Sequence, residues 1–276
     1  MQIGIVGLGL MGGSLALDLR RHGLAQKILG FDKSDEHKKT AKELGLVDEV
    51  ATLEDLKRTC DVIFLAIPVE GIIALLPQLA DIDPKTTIID LGSTKERIVK
   101  ACPPAIRKNF VPAHPMTGTE HSGPKAAVEG LYEGKIVVLC DVEQCGEEHR
   151  KRAEDIFKAL GMQIVYMDAA EHDLHAAYIS HLPHAISYAL ANSVLGQEDP
   201  KAILALAAGG FRDMSRLAKS SPDMWVDIFK QNRENLLEAM EVFKKELRTA
   251  ITLIEEQRWE ELRSWMERAT TLHKIL

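Results

Sequence analysis

The stretch "QIGIVGLGLMGGS", residues 2–14, decides the fold. Its first five residues read as a short buried strand, and residues 12–23, "GGSLALDLRRHG", carry helical periodicity and end on a capping glycine. Between them stand Gly7, Gly9 and Gly12 in G-x-G-x-x-G spacing. That spacing is weak alone and gains meaning from a strand before it and a helix after it. The first glycine permits a tight turn, the second lets backbone approach a pyrophosphate, and the third lets helix and strand pack closely. Leu10 and Met11 lie within this turn and count with the glycines as cofactor-binding, and the helix N-terminus that follows offers unpaired N–H groups to phosphate charge. An acidic residue is expected about 20 positions on, and Asp32 stands at the end of "GFD". A carboxylate there accepts from the adenosine ribose hydroxyls and repels a 2′-phosphate. The expected cofactor is therefore NAD, with Lys33 next door softening the preference over NADP. The competing reading is a glycine turn that serves packing alone.

Outward from this turn, short apolar runs alternate with helical ones as far as residue 167. "KILGFD", "CDVIFLAIPV", "TTIIDLGS", "FVPAHP", "KIVVLC" and "MQIVYM" read as strands. Residues 34–44, "EGIIALLPQLADI", "TKERIVKAC" and "EEHRKRAEDIFKALG" read as helices. Such alternation predicts a parallel sheet with helices on both faces. From Asp168 onward strand signal all but vanishes. Residues 171–195 suggest a helix buried on several sides, and "KAILALAAGGF" a second helix ending at its glycine pair. A third begins after "SSPD" and holds Leu236, Met240, Phe243, Leu247, Ala250 and Ile254 in heptad-like spacing. That seam needs a helical partner, either within its own domain or across a dimer. The expectation is an α/β chain: a Rossmann-type dinucleotide-binding domain over 1–167, then an all-α domain over 168–276 for substrate binding and dimerisation.

Bulk properties exclude several classes. The 276-residue chain is 46% hydrophobic and 27% charged, and its formal net charge of -7 with no long basic run disfavours nucleic acid or an anionic membrane as partner. Its longest apolar stretch, around "VIFLAIPV", is too short to span a bilayer, and the N-terminus lacks the positive region of a signal peptide. The four cysteines, Cys60, Cys102, Cys140 and Cys145, form no C-x-x-C pair and fit a reducing, cytoplasmic setting.

The candidate chemistry lies with the histidines. His22, His37, His149 and His273 sit among charged residues and read as exposed bystanders. His172 and His175, then His181 and His184, form two H-x-x-H pairs, which raises a metal site. A straight helix would place the pairs on opposite sides, and no E-x-x-H set accompanies them, so no metal is expected. His181 and His184 still stand out in an apolar helix, where they are either satisfied core groups or facing a polar substrate. His114 follows "FVP", and open α/β sheets bind ligands outside the carboxyl ends of their strands. An imidazole there has the ordinary basicity to take a hydroxyl proton as hydride leaves the same carbon.

Five blocks together resemble the prephenate/arogenate dehydrogenase family: "GLGLMGGS" at 7–14, "DLGSTK" at 90–95, "HPMTGTEHSG" at 114–123, "SHLPH" at 180–184 and "GGFRDMSRLAKSSPDMW" at 209–225. They occur in family order over nearly the whole chain. The resemblance implies NAD(P)-dependent oxidative decarboxylation of a cyclohexadienol on the route to tyrosine, by a dimer joined through C-terminal helices. It implies His114 as the acceptor of the C4-hydroxyl proton and Ser93 as a group that bonds that hydroxyl or orients the imidazole and nicotinamide. Arg216 would bind the side-chain carboxylate, with Arg212 one turn earlier as a rival, and His184 would meet the side chain and tilt preference to prephenate. Gly209 and Gly210 would admit the substrate to the backbone, Trp225 would wall the pocket, and Glu120 and Asp213 would hold positive groups or gate the mouth. No segment resembles a chorismate mutase or an ACT domain, so any feedback by tyrosine is expected to compete at the active site. Arogenate or dual-specificity activity, a 3-hydroxyacid-type dehydrogenase and a non-catalytic NAD sensor are the alternatives; the last two leave "HPMTGTEHSG" or the trio His114, Ser93 and Arg216 unexplained.

Overall fold

The computed structural model describes residues 1–275. They form two compact units, residues 1–232 and the residues from 233 onward. The first unit holds strands β1 (Gln2–Val6), β2 (Lys27–Phe31), β3 (Glu49–Val50), β4 (Val62–Leu65), β5 (Thr87–Asp90), β6 (Phe110–Pro115), β7 (Ile136–Cys140) and β8 (Gln163–Met167). Among the described residues they make one eight-stranded sheet in the order β3-β2-β1-β4-β5-β6-β7-β8. The chain moves from β1 to one side, then returns across it to β4. That reversal opens a crevice at the carboxyl ends of β1 and β4, where α/β folds bind nucleotides.

The helices of this part are α1 (Leu10–Arg21), α2 (Asp35–Glu43), α3 (Leu53–Thr59), α4 (Val69–Leu75), α5 (Glu96–Ala101) and α6 (Glu147–Ala159). Thr52 and Asp55 form a reciprocal capping box on α3, and Ser34 caps α2 through His37 N–H. The central strands are continuous apolar runs because both faces are covered. One face packs Ile3, Ile5, Phe64, Ile89 and Val111 against helices that include α1 and α6. The other packs Ile63, Leu65 and Ile88 against residues of α3, α4 and α5. The sheet departs from the expected all-parallel pattern at β7, which runs antiparallel to β6, pairing His114 with Val138. A long loop between β6 and β7 returns the chain without a crossover helix, and this reverses the strand.

Beyond β8 the same unit continues as α7 (Ala169–Ala176), a π-helical turn over Ala177–His181, α8 (Leu182–Leu195), α9 (Pro200–Ala205), α10 (Gly209–Ser215) and α11 (Pro222–Gln231). Three sequence expectations change here. Residues 171–195 are one helical path with a wider turn inside it, and that path exposes Ile179 at 68% and Leu195 at 61% rather than burying several sides. The glycine pair Gly209–Gly210 starts α10 instead of ending the preceding helix, because Ala208 is extended and turns the chain into a new helix. The helix after "SSPD" breaks at Asn232, so α11 is separate from α12 (Arg233–Glu255).

The second unit pairs α12 with α13 (Trp259–Thr270) through a turn in which Gln257 adopts a φ of 54°. Trp265 Nε1 donates to Glu246 across the hairpin at 2.8 Å. Met240, Phe243, Leu247 and Ile254 of the heptad-like seam are exposed in the single chain. No helix of the described residues is long and apolar enough to cross a membrane.

Candidate active site

The glycine turn fits a dinucleotide on its own geometry. Gly7 has a φ of 95°, and a Cβ there would run into the Ala66 carbonyl. Gly12 lies so close to the Gly7 carbonyl that only a hydrogen fits. Gly9 differs: a Cβ would meet nothing nearer than Gly123 N at 4.0 Å, so its surface is open for a ligand. Gly9 precedes α1, whose first turn through Leu10 and Met11 carries no acidic side chain. Asp32 is buried at the end of β2. It accepts from Leu8 N at 2.9 Å and Ser34 N at 2.8 Å, which fixes the carboxylate beside the turn. His37 Nδ1 lies 3.4 Å from the same carboxylate, so His37 belongs to this corner and is no bystander. Gly123, at the end of the "HPMTGTEHSG" loop, reaches both Gly9 and His37, so that loop passes over the crevice.

α1 also holds the loop down. Ser14 Oγ accepts from Val128 N, buried Asp18 accepts from Gly130 N, and the Tyr132 hydroxyl donates to Met11 O at 2.8 Å.

His114 lies near the carboxyl end of β6, partly exposed. Ser93 stands on the same edge, three residues past β5, whose Asp90 is in register with Pro112. The loop between them is pinned from below. Lys95 and Asp90 form an ion pair with both side chains 0% exposed, and Lys95 Nζ also donates to Ala113 O at 2.7 Å. Burial raises the Asp90 carboxyl, against the lowering effect of Lys95. Burial pushes the His114 imidazole well below the usual histidine range, with His172, Lys95 and His181 adding to it. His114 is therefore neutral near neutral pH, the state a proton acceptor needs.

The histidines expected as two H-x-x-H pairs separate by role. His172 Nε2 lies 2.8 Å from His114 Nδ1, and its Nδ1 lies 2.8 Å from Asp173 Oδ1. His175 is exposed. His181 is 1% exposed and shares Asn232 Nδ2 with the Asp173 carbonyl, at 3.1 and 2.6 Å. His184 donates from Nδ1 to Ser180 O at 2.9 Å and stacks on Trp225, ring centroids 3.5 Å apart at 22°. Trp225 is buried, and its indole N–H finds no partner within the described protein. Burial lowers the His184 imidazole, and the Arg216 charge adds to this. The Glu120 carboxyl is held low first by its own backbone N–H, then by His121, Arg216 and Lys219. Arg216 thus lies within electrostatic reach of both His184 and Glu120. Arg216, Arg212, Asp213, Glu120 and His121 are all exposed, and the positions a Cβ would take at Gly209 and Gly210 are open.

Two expectations about histidines fail. His149 is 7% exposed and bonds Thr87 Oγ1 at 2.8 Å, because α6 turns it onto β5. His37 serves Asp32, as above. Sequence reasoning also passed over Lys95, His172, Asp173 and Asn232 as partners of the site. The one visible signal was the acid at position 173 directly after a histidine.

This geometry meets independent likenesses. The family model "Prephenate dehydrogenase, nucleotide-binding domain" matches residues 15–166, and "Prephenate dehydrogenase, dimerization domain" matches residues 168–268. The chain is 34% identical to the prephenate dehydrogenase of Bacillus subtilis over 94% of its own length and 71% of that protein's. It is 34% identical to the cyclohexadienyl dehydrogenase of Zymomonas mobilis over 91% of its own length and 88% of the relative's. The structure of prephenate dehydrogenase from Aquifex aeolicus, in complex with hydroxyphenyl propionate and NAD+, superposes with a TM-score of 0.92 at 33% identity, covering 99% of this chain and 97% of that one. A nucleotide crevice at the sheet's switch point, a neutral histidine near the carboxyl end of β6 and a dimerisation domain following in the chain are one enzyme's parts, and the chain belongs to the prephenate dehydrogenase family.

Proposed function

We propose that the protein is an NAD-dependent prephenate dehydrogenase that releases carbon dioxide and 4-hydroxyphenylpyruvate. The carrying observation is His114, held neutral near the carboxyl end of β6 with its Nδ1 engaged by His172. Gly7, Gly9, Leu10, Met11 and Gly12 would hold the pyrophosphate, and Asp32 the adenosine ribose. Bound NAD supplies the hydride acceptor. His114 Nε2 takes the C4-hydroxyl proton, and Ser93 on the same sheet edge bonds that hydroxyl or aligns the imidazole. The ketone so formed lets the C1 carboxylate leave, since the product is aromatic.

At the other end of the substrate, Arg216 binds the side-chain carboxylate as a bidentate fork. Its charge reaches both His184 and Glu120. His184 meets the side chain with Nε2, Trp225 walls the pocket, Gly210 leaves room for substrate, and Glu120 and Asp213 border the entrance. Hydroxyphenyl propionate, bound in the Aquifex enzyme, has the same two handles, a ring hydroxyl and a carboxylate. Residues 1–167 form the cofactor domain and 168–276 the substrate domain, and the exposed face of α12 pairs two copies into a homodimer.

A dual-specificity reading has one observation in its favour: the cyclohexadienyl dehydrogenase relative is covered over more of its length than the Bacillus enzyme at equal identity. Absorbance at 340 nm with NAD and either prephenate or arogenate separates the readings. No NADH from either substrate overturns the assignment. His114→Asn lowers kcat by about 10²- to 10⁴-fold with little change in NAD binding.

A further inference from the structure

The carboxylate of Asp173 sits at a junction. Oδ1 accepts from Lys95 N at 2.8 Å and Oδ2 from Glu96 N at 3.0 Å, so it clamps the backbone of the loop that carries Ser93. Oδ1 also lies 2.8 Å from His172 Nδ1. An ionised carboxylate accepts only, so His172 Nδ1 bears the proton and donates it. With that one ring proton His172 presents a bare Nε2, and in this arrangement the 2.8 Å contact with His114 Nδ1 has His114 donating. A neutral His114 with its proton on Nδ1 has a free Nε2, the nitrogen able to receive a hydroxyl proton. Both His172 and Asp173 are 2% exposed, so water does not compete for these bonds.

We infer that His172 and Asp173 are positioning residues that set the tautomer and ring orientation of His114 and stabilise the imidazolium formed when it takes the substrate proton. This rests on His114 being the proton acceptor. The proton moves from the hydroxyl to His114 Nε2, and the Nδ1–H stays shared with His172, whose own Nδ1–H stays on Asp173. A carboxylate two bonds away is the negative group that favours the charged form. Burial opposes it first, then the charges of Lys95, behind Ala113 on the Asp90 side, and His181, from the turn after α7, and a charge on His172 itself would do the same, so His172 favours the imidazolium only as a neutral acceptor. Asp173 acts on both reaction partners at once, since the same carboxylate fixes the Ser93 loop.

Two substitutions separate this from a packing role. Phenylalanine at 172 fills the space and accepts nothing. Glutamine keeps an oxygen acceptor for His114 Nδ1 and an amide donor for Asp173. With the dimeric enzyme, NAD and prephenate, His172→Phe lowers kcat by about 10- to 100-fold, the effect expected when a partner that fixes an imidazole is lost. KM for both substrates stays within about twofold. The acid limb of the kcat/KM profile moves about one unit lower, because the neutral Nε2 that accepts the imidazolium Nδ1–H is gone. His172→Gln regains most of kcat.

His114→Asn is run in parallel. If it collapses kcat while His172→Phe changes neither kcat nor the acid limb, the positioning role is overturned and the acceptor role of His114 survives. If His114→Asn leaves kcat intact, both are overturned. Equal losses in the Phe and Gln variants, with raised KM and a lowered Tm, assign His172 to packing and overturn the inference.

Discussion

Replacing Lys95 by methionine tests the electrostatics beneath the site. Lys95 and Asp90 are both 0% exposed, and the second oxygen of Asp90 has no hydrogen-bond partner among the described residues. Without the ammonium, the carboxylate escapes its buried charge only by taking a proton. For a carboxyl with an ordinary value of 3.8, protonation at about pH 7 costs ~4 kcal/mol, at ~1.36 kcal/mol per unit. The lost bond to Ala113 O adds ~1 kcal/mol. The total of ~5 kcal/mol agrees with the ~3–5 kcal/mol found when one partner of a buried pair is removed. The sign with pH follows. Asp90 in the variant has a folded value raised above its unfolded one, so its folded form is favoured at low pH and penalised as pH rises. At about pH 5 the protonation cost falls to ~1.6 kcal/mol. Urea unfolding followed by tryptophan fluorescence, at one protein concentration because a dimerisation domain is present, measures both values. Adding Asp90→Asn to Lys95→Met recovers at least half the loss at pH 7. A penalty under about 1 kcal/mol, or one equal at the two pH values, would falsify this account of the pair.

Other outcomes follow from the same geometry. Asp32→Ser raises KM for NAD by about 10- to 100-fold, the worth of hydrogen bonds to a charged acceptor, and narrows the NAD/NADP ratio; an unchanged ratio in steady-state kinetics refutes the role of the carboxylate. Arg216→Ala raises KM for prephenate by a similar factor at nearly constant kcat, whereas Arg212→Ala does not; the reverse pattern in initial-rate measurements reassigns the carboxylate fork. His181 is buried and its imidazole is lowered from 6.5 to about 4, so the unfolded chain binds the extra proton in that window and folding stability falls as pH drops through it. The loss reaches ~3 kcal/mol for the full shift. His181→Phe removes that slope, and identical pH dependence of urea midpoints in variant and wild type contradicts it.

How much of this was legible in the sequence depends on the range of each interaction. The glycine turn, the alternation of strands and helices and the shift to all-α structure at Asp168 are local or periodic, and those signals carried them. Breaks that depend on single backbone conformations did not show: Ala208 starting α10 and Asn232 parting α11 from α12 leave no mark on apolar spacing. The reversed β7 was hidden because its apolar run looks the same in either direction. Single site residues at strand ends were readable, but their partners were not. His114 meets His172 across 58 positions, and Lys95 N meets Asp173 across 78. His149 misled for a related reason: charged neighbours marked it as exposed, while helix phase turns it onto Thr87.

The wider turn over Ala177–His181 has a consequence for how this enzyme diverges. A turn of this kind holds roughly one residue more than an α-helical turn, and each residue advances a helix by about 100°. The helical path therefore has two halves whose angular offset is set by that single extra residue. Ahead of it stand His172 and Asp173, which serve the proton; behind it stands His184, which lies on Trp225. Deleting one residue from the turn would let it close as ordinary helix and swing His184 off the indole while leaving the acid, the two imidazoles and β6 in place. One insertion or deletion can thus retune what the pocket grips without touching how the proton is taken.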